Sequence, residues 1–318
     1  VRELMELYKQ TLDYFMGLQV ETEHINDEIH IQQDINAFRS SLVYDCIERA
    51  MDLVEGGSVY SADGGPTAGT ISAGDSLAAL DEIVFNQKLL TMEQVLHAMS
   101  TNYEDMETVP AGPEIRAILL NKAPKFGNDD ERADKWVVEL EDYIGSSYRY
   151  KYRSSKYGKG PVPCCYSYSQ SPVTGNIAFG KSIGATPDGR KDGQPVNNGI
   201  SPANGSEKKG ATAACNSVMK LPSIWFQKGA IFNMRLSKGA LDTDENKEKV
   251  IAMIKVLFEN YGQQIQFNVV DNKVFKKAME HPDEYKDLMV RVSGYSALFT
   301  SLSPECQMDV ISRAELEL

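Results

Sequence analysis

No stretch of this sequence approaches the run of about 18 apolar residues needed to cross a bilayer, which excludes a transmembrane helix. Basic residues are scarce beside acidic ones: 33 Lys and Arg against 45 Asp and Glu, a formal charge of −12. A nucleic-acid partner needs a basic stripe to meet phosphate, so nucleic acid is not the expected partner. Histidine is rarer still, and none of His24, His30, His97 and His281 stands at ligand spacing from a Cys, Asp or Glu cluster. No metal site is therefore expected. The five cysteines, Cys46, Cys164, Cys165, Cys215 and Cys306, form no CxxC pair and no zinc spacing. With no secretory signal they read as reduced thiols of a cytoplasmic protein. An initiator Met is also missing. Val1 opens directly into the helical pattern VRELMELYKQTLDYF, which reads as the cut edge of a longer chain. Internal repeats and low-complexity tracts are lacking.

What is present is ordinary for a folded protein: 42% hydrophobic and 25% charged residues over 318 positions, enough for a large core in one domain or two. The first part reads as helical. In INAFRSSLVYDCIERAMDLVEGG, the residues Phe38, Leu42, Val43, Cys46, Ile47, Met51 and Val54 recur at helical spacing, with Gly56 and Gly57 as the stop. Cys46 on that stripe is expected to be a packed thiol. GGSVYSADGGPTAGTISAG is turn-rich, but it lacks GxxxxGK[ST] and a preceding strand, so no phosphate loop is indicated. Helices resume in GDSLAALDEIVFNQKLL and in TMEQVLHAMSTNY, where Thr91 and Gln94 have capping-box spacing. Two more are expected near GPEIRAILLNKA and in DDERADKWVVELEDYIGSSYRY.

From about residue 155 the character changes, which divides the chain into a mainly helical part, 1–155, and a strand-bearing part, 156–318. CCYSYSQS alternates Tyr166 and Tyr168 against Ser167, Ser169 and Ser171 with a period of two, the pattern of a strand with one inward face. Cys164 and Cys165 within it read as packing. GNIAFGKSIGATPDGRKDGQPVNNGISPANG is nearly all turn signals. AIFNMRLS and QIQFNVVD read as buried strands, joined by an amphipathic helix entered at Asp242 or Asp244 and ended at Gly262. That predicts a β-α-β unit with parallel strands. SPECQMDVISRAELEL closes the chain, with Ser303 as N-cap and Pro304 in the first turn.

Gly294, in DLMVRVSGYSALF, interrupts a stretch otherwise suited to a buried strand, where glycine marks a bulge, a bend or a close backbone approach. RVSGYSALF, with QIQFNVVD upstream and DVISRAELEL downstream, resembles the C-terminal signature of glycyl radical enzymes. LLNKAPKFGNDDERAD and GKSIGATPDGRKDGQPVNNGISPANGSEKKGATAACNSVMKLP resemble earlier segments of that family, in the family's order. The resemblance implies an α/β fold, part of a glycyl radical enzyme barrel with surrounding helices and a C-terminal radical loop. It implies a radical on Gly294, with Arg291, Ser293 and Tyr295 anchoring the loop. Glycine suits that role. A Cα radical is stabilised when the centre flattens between the amide nitrogen and the carbonyl, and only glycine has no Cβ to clash in the flat form. Buried, the loop would be protected; extruded, it could be reached by an activating enzyme.

The same resemblance implies a radical S-adenosylmethionine activase with an iron–sulfur cluster as partner and no cofactor bound by this chain. It further implies a small-molecule substrate, an anaerobic setting and a homodimer. The radical would pass to a cysteine whose thiyl takes hydrogen from the substrate, but none of the five cysteines matches that position. Cys46 falls in a predicted helix, and Cys165 lies only 129 residues before Gly294. GATPDGRKDGQPVNNGISP is similar to the diol dehydratase and arylacetate decarboxylase branch, and FQKGAIFNMRLS leans to the 4-hydroxyphenylacetate decarboxylase type. A lyase is therefore expected. The alternatives are a pyruvate formate-lyase-like acyltransferase and a noncatalytic radical-bearing subunit for a partner chain. If the Tyr/Ser alternation faces a substrate cavity, Ser169, Ser171 and Pro172 are the pocket candidates.

Overall fold

The computed structural model describes residues 1–60, 64–65, 67–152 and 166–316. The chain opens with α1 (Arg2–Gln33), followed by the short α2 (Ala37–Ser41) and α3 (Cys46–Arg49). The single long helix expected from Ile35 to Val54 does not form. Asp45 at φ +78° and Ala50 at φ +51° break it, and Asp52 caps a 3-10 turn at Leu53–Glu55 by accepting from the Val54 N–H at 3.1 Å. Phe38, Leu42 and Ile47 are left exposed, whereas Cys46 is buried as expected.

α4 (Thr70–Ala79) continues into a π-helical stretch, Leu80–Asn86, and leads to α5 (Met92–Ser100), α6 (Gly112–Asn121) and α7 (Glu131–Tyr150). α5 starts on the expected capping box: Thr91 Oγ1 accepts from the Gln94 N–H at 3.2 Å and Gln94 Oε1 from the Thr91 N–H at 2.8 Å. α7 is the central core helix, burying Trp136, Val137, Leu140, Ile144 and Tyr148 at helical spacing. α4 crosses it at Gly74, where a Cβ would stand 2.4 Å from Val137 Cγ2. No larger residue permits that approach.

The second part departs from expectation twice. Tyr166, Ser167, Tyr168, Ser169 and Gln170 are all buried, so no in–out alternation exists, and among the described residues Gln170 forms an isolated bridge with Ala230 in place of a strand. Neither face reaches solvent, because the polar side chains are occupied inside: Tyr168 Oη donates to Glu141 at 2.6 Å and Gln170 Nε2 to Glu141 at 2.8 Å. Cys164 and Cys165 lie outside the described residues. Within the predicted turn region, Gly175–Lys181 is a helix, α8. It is fixed by tertiary contacts that local sequence does not report: Asn176 donates to Asp309 at 3.0 Å, and Gly180 admits the 194–195 backbone where a Cβ would be 2.3 Å from the Gln194 carbonyl oxygen.

After α9 (Gly210–Met219) the β-α-β unit forms as expected: β1 (Asn233–Arg235), α10 (Asp244–Glu259) and β2 (Gln266–Asn268), the strands parallel with Asn233 opposite Gln266. The cap of α10 is Thr243, whose hydroxyl accepts from the Asn246 N–H at 3.1 Å. Then come α11 (Asn272–Glu280), the hairpin β3 (Met289–Arg291) and β4 (Ser296–Leu298), and α12 (Pro304–Ser312) capped by Ser303. The main apolar core joins α7, α9, α10 and β1. The hairpin has a small core of its own, Phe275, Ala278, Val290, Val292, Phe299 and Val310, with the Phe275 and Phe299 rings 4.8 Å apart. Among the described residues no helix is long and apolar enough to cross a membrane.

Candidate functional site

Gly294 sits at the tip of the β3–β4 hairpin. The Val292 N–H donates to the Tyr295 carbonyl at 2.9 Å, which leaves Ser293 and Gly294 as the two central turn residues. Gly294 has φ +80°. Positive φ at the second central position alone is the type II arrangement, which strand twist does not favour in a two-residue hairpin. Side chains from outside the hairpin hold it instead. Asn268 on β2 accepts from the Arg291 N–H at 2.8 Å and donates to the Arg291 carbonyl at 2.7 Å, acting as an extra strand residue. Ser293 Oγ donates to Asn198 Oδ1 at 2.8 Å, and the Gly294 N–H donates to Gln266 Oε1 at 3.1 Å. Arg313, just past α12, donates to the Val292 carbonyl at 2.7 Å and pairs with Asp309 at 3.0 Å.

These anchors interlock. Gln266 Nε2 donates to Asn233 Oδ1, and Asn233 Nδ2 donates to Asn198 Oδ1 at 3.2 Å. Asn198, Asn233, Gln266 and Asn268 are all buried, as is Arg313. Beside them is a cavity of about 10 Å³ that also touches Glu207, room for about one water. Burial pushes the Glu207 carboxyl up to about 8, so it is mostly neutral at pH 7.

Of the expected loop anchors, Ser293 is buried and bonded. Arg291 is held through its backbone, and its guanidinium reaches only Ser296 Oγ at 3.0 Å. Tyr295 is 37% exposed. The burial expected of Gly294 is not supplied by this chain's own residues: 294–296 are exposed. The residues of this chain cover one side of the tip only, where Ile231 Cδ1 would lie 3.2 Å from a Cβ on Gly294. The Gln170–Ala230 bridge brings Ser169 and Ser171 beside that same segment, with the Ile231 N–H donating to the Gln170 carbonyl at 3.0 Å. Ser169 and Pro172 are buried, and Ser169 Oγ lies 3.2 Å from Ser171 Oγ. None of the three lines the large cavity, about 820 Å³, that α6, α8 and α12 border with Arg116, Lys125, Arg190 and Asp309.

The described cysteines are on helices: Cys46 in α3, Cys215 in α9 and Cys306 in α12. Burial pushes the Cys215 thiol up to about 12, and burial beside Asp52 raises Cys46, so neither is activated as a thiolate. Among the described residues no three His, Cys, Asp or Glu side chains cluster around a metal position. The amides Asn198, Asn233, Gln266 and Asn268 were not singled out by sequence reasoning. A signal existed: Gln264, Gln266 and Asn268 repeat with a period of two in a strand otherwise suited to burial.

Residues 1–179 match the family model described as pyruvate formate lyase-like, and residues 196–300, which include Gly294, match the one described as glycine radical. The chain belongs to the glycyl radical enzyme family, and its largely helical fold with some sheet is that family's. Probable dehydratase YbiW of Escherichia coli strain K12 is 36% identical over 98% of this chain and 38% of its own length. Trans-4-hydroxy-L-proline dehydratase of Clostridioides difficile is 33% identical, with the same 98% and 38% coverage. The glycerol-bound structure of the B12-independent glycerol dehydratase from Clostridium butyricum matches with a TM-score of 0.91 at 35% identity, over 100% of this chain and 38% of that one. The chain thus spans just over a third of the length of these relatives.

Proposed function

We propose that Gly294 stores a backbone radical in an anaerobic glycyl radical lyase of the dehydratase type. The observation that carries this reading is how firmly the turn at Gly294 is held by side chains from outside the hairpin, where packing alone leaves room for a Cβ. Only the flexible end of Ile231 opposes a Cβ there, yet the peptide group before Gly294 is held by the buried Gln266 amide, and Ser293 and the Val292 carbonyl before it by Asn198 and Arg313. A fixed, planar peptide environment is what delocalisation of a Cα radical requires. An activating enzyme removes one Gly294 Cα hydrogen, using S-adenosylmethionine and an iron–sulfur cluster of its own.

The stored radical then passes to a cysteine, whose thiyl takes hydrogen from a small substrate before the hydrogen is returned. No described cysteine has that role. Two similar proteins are dehydratases by name, which favours loss of water from a hydroxylated small molecule over acyl transfer. Ser169, Ser171 and Pro172, next to the Ala230–Ile231 segment, are the pocket residues proposed from this chain. Arg291, Ser293 and Tyr295 act as loop anchors. A helical part, 1–155, a strand-bearing part, 156–318, a cytoplasmic setting and a homodimer complete the proposal.

Oxygen provides the site-specific test. Dioxygen adds to a Cα radical and the backbone then breaks at that residue. Full-length protein activated anaerobically and then exposed to air should yield, by intact-mass spectrometry, a fragment ending next to Gly294, and Gly294→Ala should stay whole. Cleavage at another residue would overturn the assignment.

A further inference from the structure

The hairpin that carries Gly294 joins the rest of the molecule across a polar seam. Its apolar side chains form their own cluster with α11 and α12, separate from the main core. Around the turn, Asn198, Gln266 and Asn268 bond to the hairpin directly, and Asn233 accepts from Arg313, which itself donates to the Val292 carbonyl. Separating such a seam exchanges protein hydrogen bonds for water hydrogen bonds, which costs far less than uncovering a buried apolar face. The seam is therefore the plane along which the hairpin would separate at least cost.

Gln266 occupies the position in this seam that touches Gly294 itself. Its side-chain amide is oriented from both ends. Nε2 donates to Asn233 Oδ1, its register partner across the parallel ladder, so Oε1 faces the Gly294 N–H at 3.1 Å. Because β2 is paired with β1, the acceptor is placed by the ladder and not by the turn it holds. The same bond acts on the radical's electronics. An acceptor on the N–H raises electron density at the amide nitrogen, the donating partner in delocalisation of a Cα radical.

We propose that Gln266 is a positioning residue for Gly294: its side-chain carbonyl latches the docked hairpin onto the β1–β2 ladder and supports the glycyl radical through the Gly294 N–H. The assignment rests on the proposed radical role only for its second half. The latch is a property of the unactivated protein. Removing the bond should shift the docked-to-released ratio about fivefold, the population change that corresponds to about 1 kcal/mol.

The test uses full-length protein with Gln266→Leu, which removes both amide functions, and Gln266→Glu, studied at acid pH, where the protonated carboxyl keeps an acceptor for the Gly294 N–H and an O–H donor for Asn233 Oδ1. Amide hydrogen exchange of the unactivated protein is followed in a peptide spanning 292–299 and, as reference, in α7. The expected result is about fivefold faster exchange at 292–299 in Gln266→Leu, unchanged exchange in α7, and recovery toward the wild-type rate in Gln266→Glu. After anaerobic activation, the electron paramagnetic resonance signal should decay faster in Gln266→Leu than in wild type and near the wild-type rate in Gln266→Glu. Wild-type exchange at 292–299 in Gln266→Leu would overturn the latch, as would acceleration throughout the chain, which marks a general loss of folding. A radical decay identical in all three proteins would overturn the electronic half. Absence of any signal in activated wild type would sink the radical reading itself, with the exchange result still deciding the latch.

Discussion

Replacing Gly294 with alanine is expected to leave the fold intact, and the structure sets the scale. At φ +80° an L-residue in the left-handed region costs about 1–2 kcal/mol. The new Cβ would stand 3.2 Å from Ile231 Cδ1, the end of a flexible side chain, adding about 0.5 kcal/mol of rotamer strain. The total, about 2 kcal/mol, is a fraction of the 5–15 kcal/mol typical of a domain. Gly199 provides the contrast. Its φ is +60°, and a Cβ there would lie 2.2 Å from the Ile231 carbonyl oxygen and 2.9 Å from that of Gln170, both backbone atoms that cannot move aside. Overpacking against backbone adds about 1–3 kcal/mol or more to the left-handed penalty, and it breaks the 2.9 Å bond from the Ile200 N–H to the Ile231 carbonyl. Urea unfolding of unactivated protein, followed by circular dichroism, should give a small midpoint shift for Gly294→Ala and a much larger one for Gly199→Ala. If Gly294→Ala costs as much as Gly199→Ala, structure alone explains the glycine, and the argument for a functional one fails.

Burial raises the Glu141 carboxyl to about 8, although Tyr168 and Gln170 hydrogen-bond to it, so the folded state keeps a proton that the unfolded chain releases near its usual 4.5. That contribution is complete below about pH 4.5 and is lost as pH rises towards 8, with a slope of up to about 1.4 kcal/mol per pH unit. Urea midpoints at pH 5 and pH 8 should fall less between them for Glu141→Gln than for wild type, and parallel falls would contradict the buried neutral acid. Gly145 on α7 has no room for a methyl group, since a Cβ would lie 2.3 Å from Trp225 Cβ. Gly145→Ala should therefore lose about 1–3 kcal/mol despite better helix propensity. Adding Trp225→Gly, which removes the Cβ itself, should recover part of that loss, and strictly additive losses would refute the clash.

Features written in a few adjacent residues were legible: the Thr91–Gln94 capping box, the Ser303 cap with Pro304, and the parallel strand pair around α10. Features set by distant contacts were not. The 35–54 stretch has helical periodicity, but Asp45 and Ala50 take left-handed backbone conformations that their side chains do not announce. α8 is held by Asn176 and Gly180 against segments far along the chain. The glycine motif pointed to Gly294, yet its turn is stabilised by amides from 95 and 28 residues upstream, Asn198 and Gln266. Their importance follows from what they touch. Exposure of the hairpin tip was equally invisible, because burial is a property of what packs over a residue.

The central claim is tested most directly by electron paramagnetic resonance. Full-length wild-type protein and Gly294→Ala would be activated under anaerobic conditions with S-adenosylmethionine and an activase shown to work on the wild type or on a second substrate protein. One remaining α-hydrogen on a glycyl radical splits its signal in two, so wild type should show a doublet that collapses when the protein carries α-deuterated glycine, and Gly294→Ala should be silent. A doublet that survives in Gly294→Ala, or no signal from wild type with a competent activase, would contradict the account.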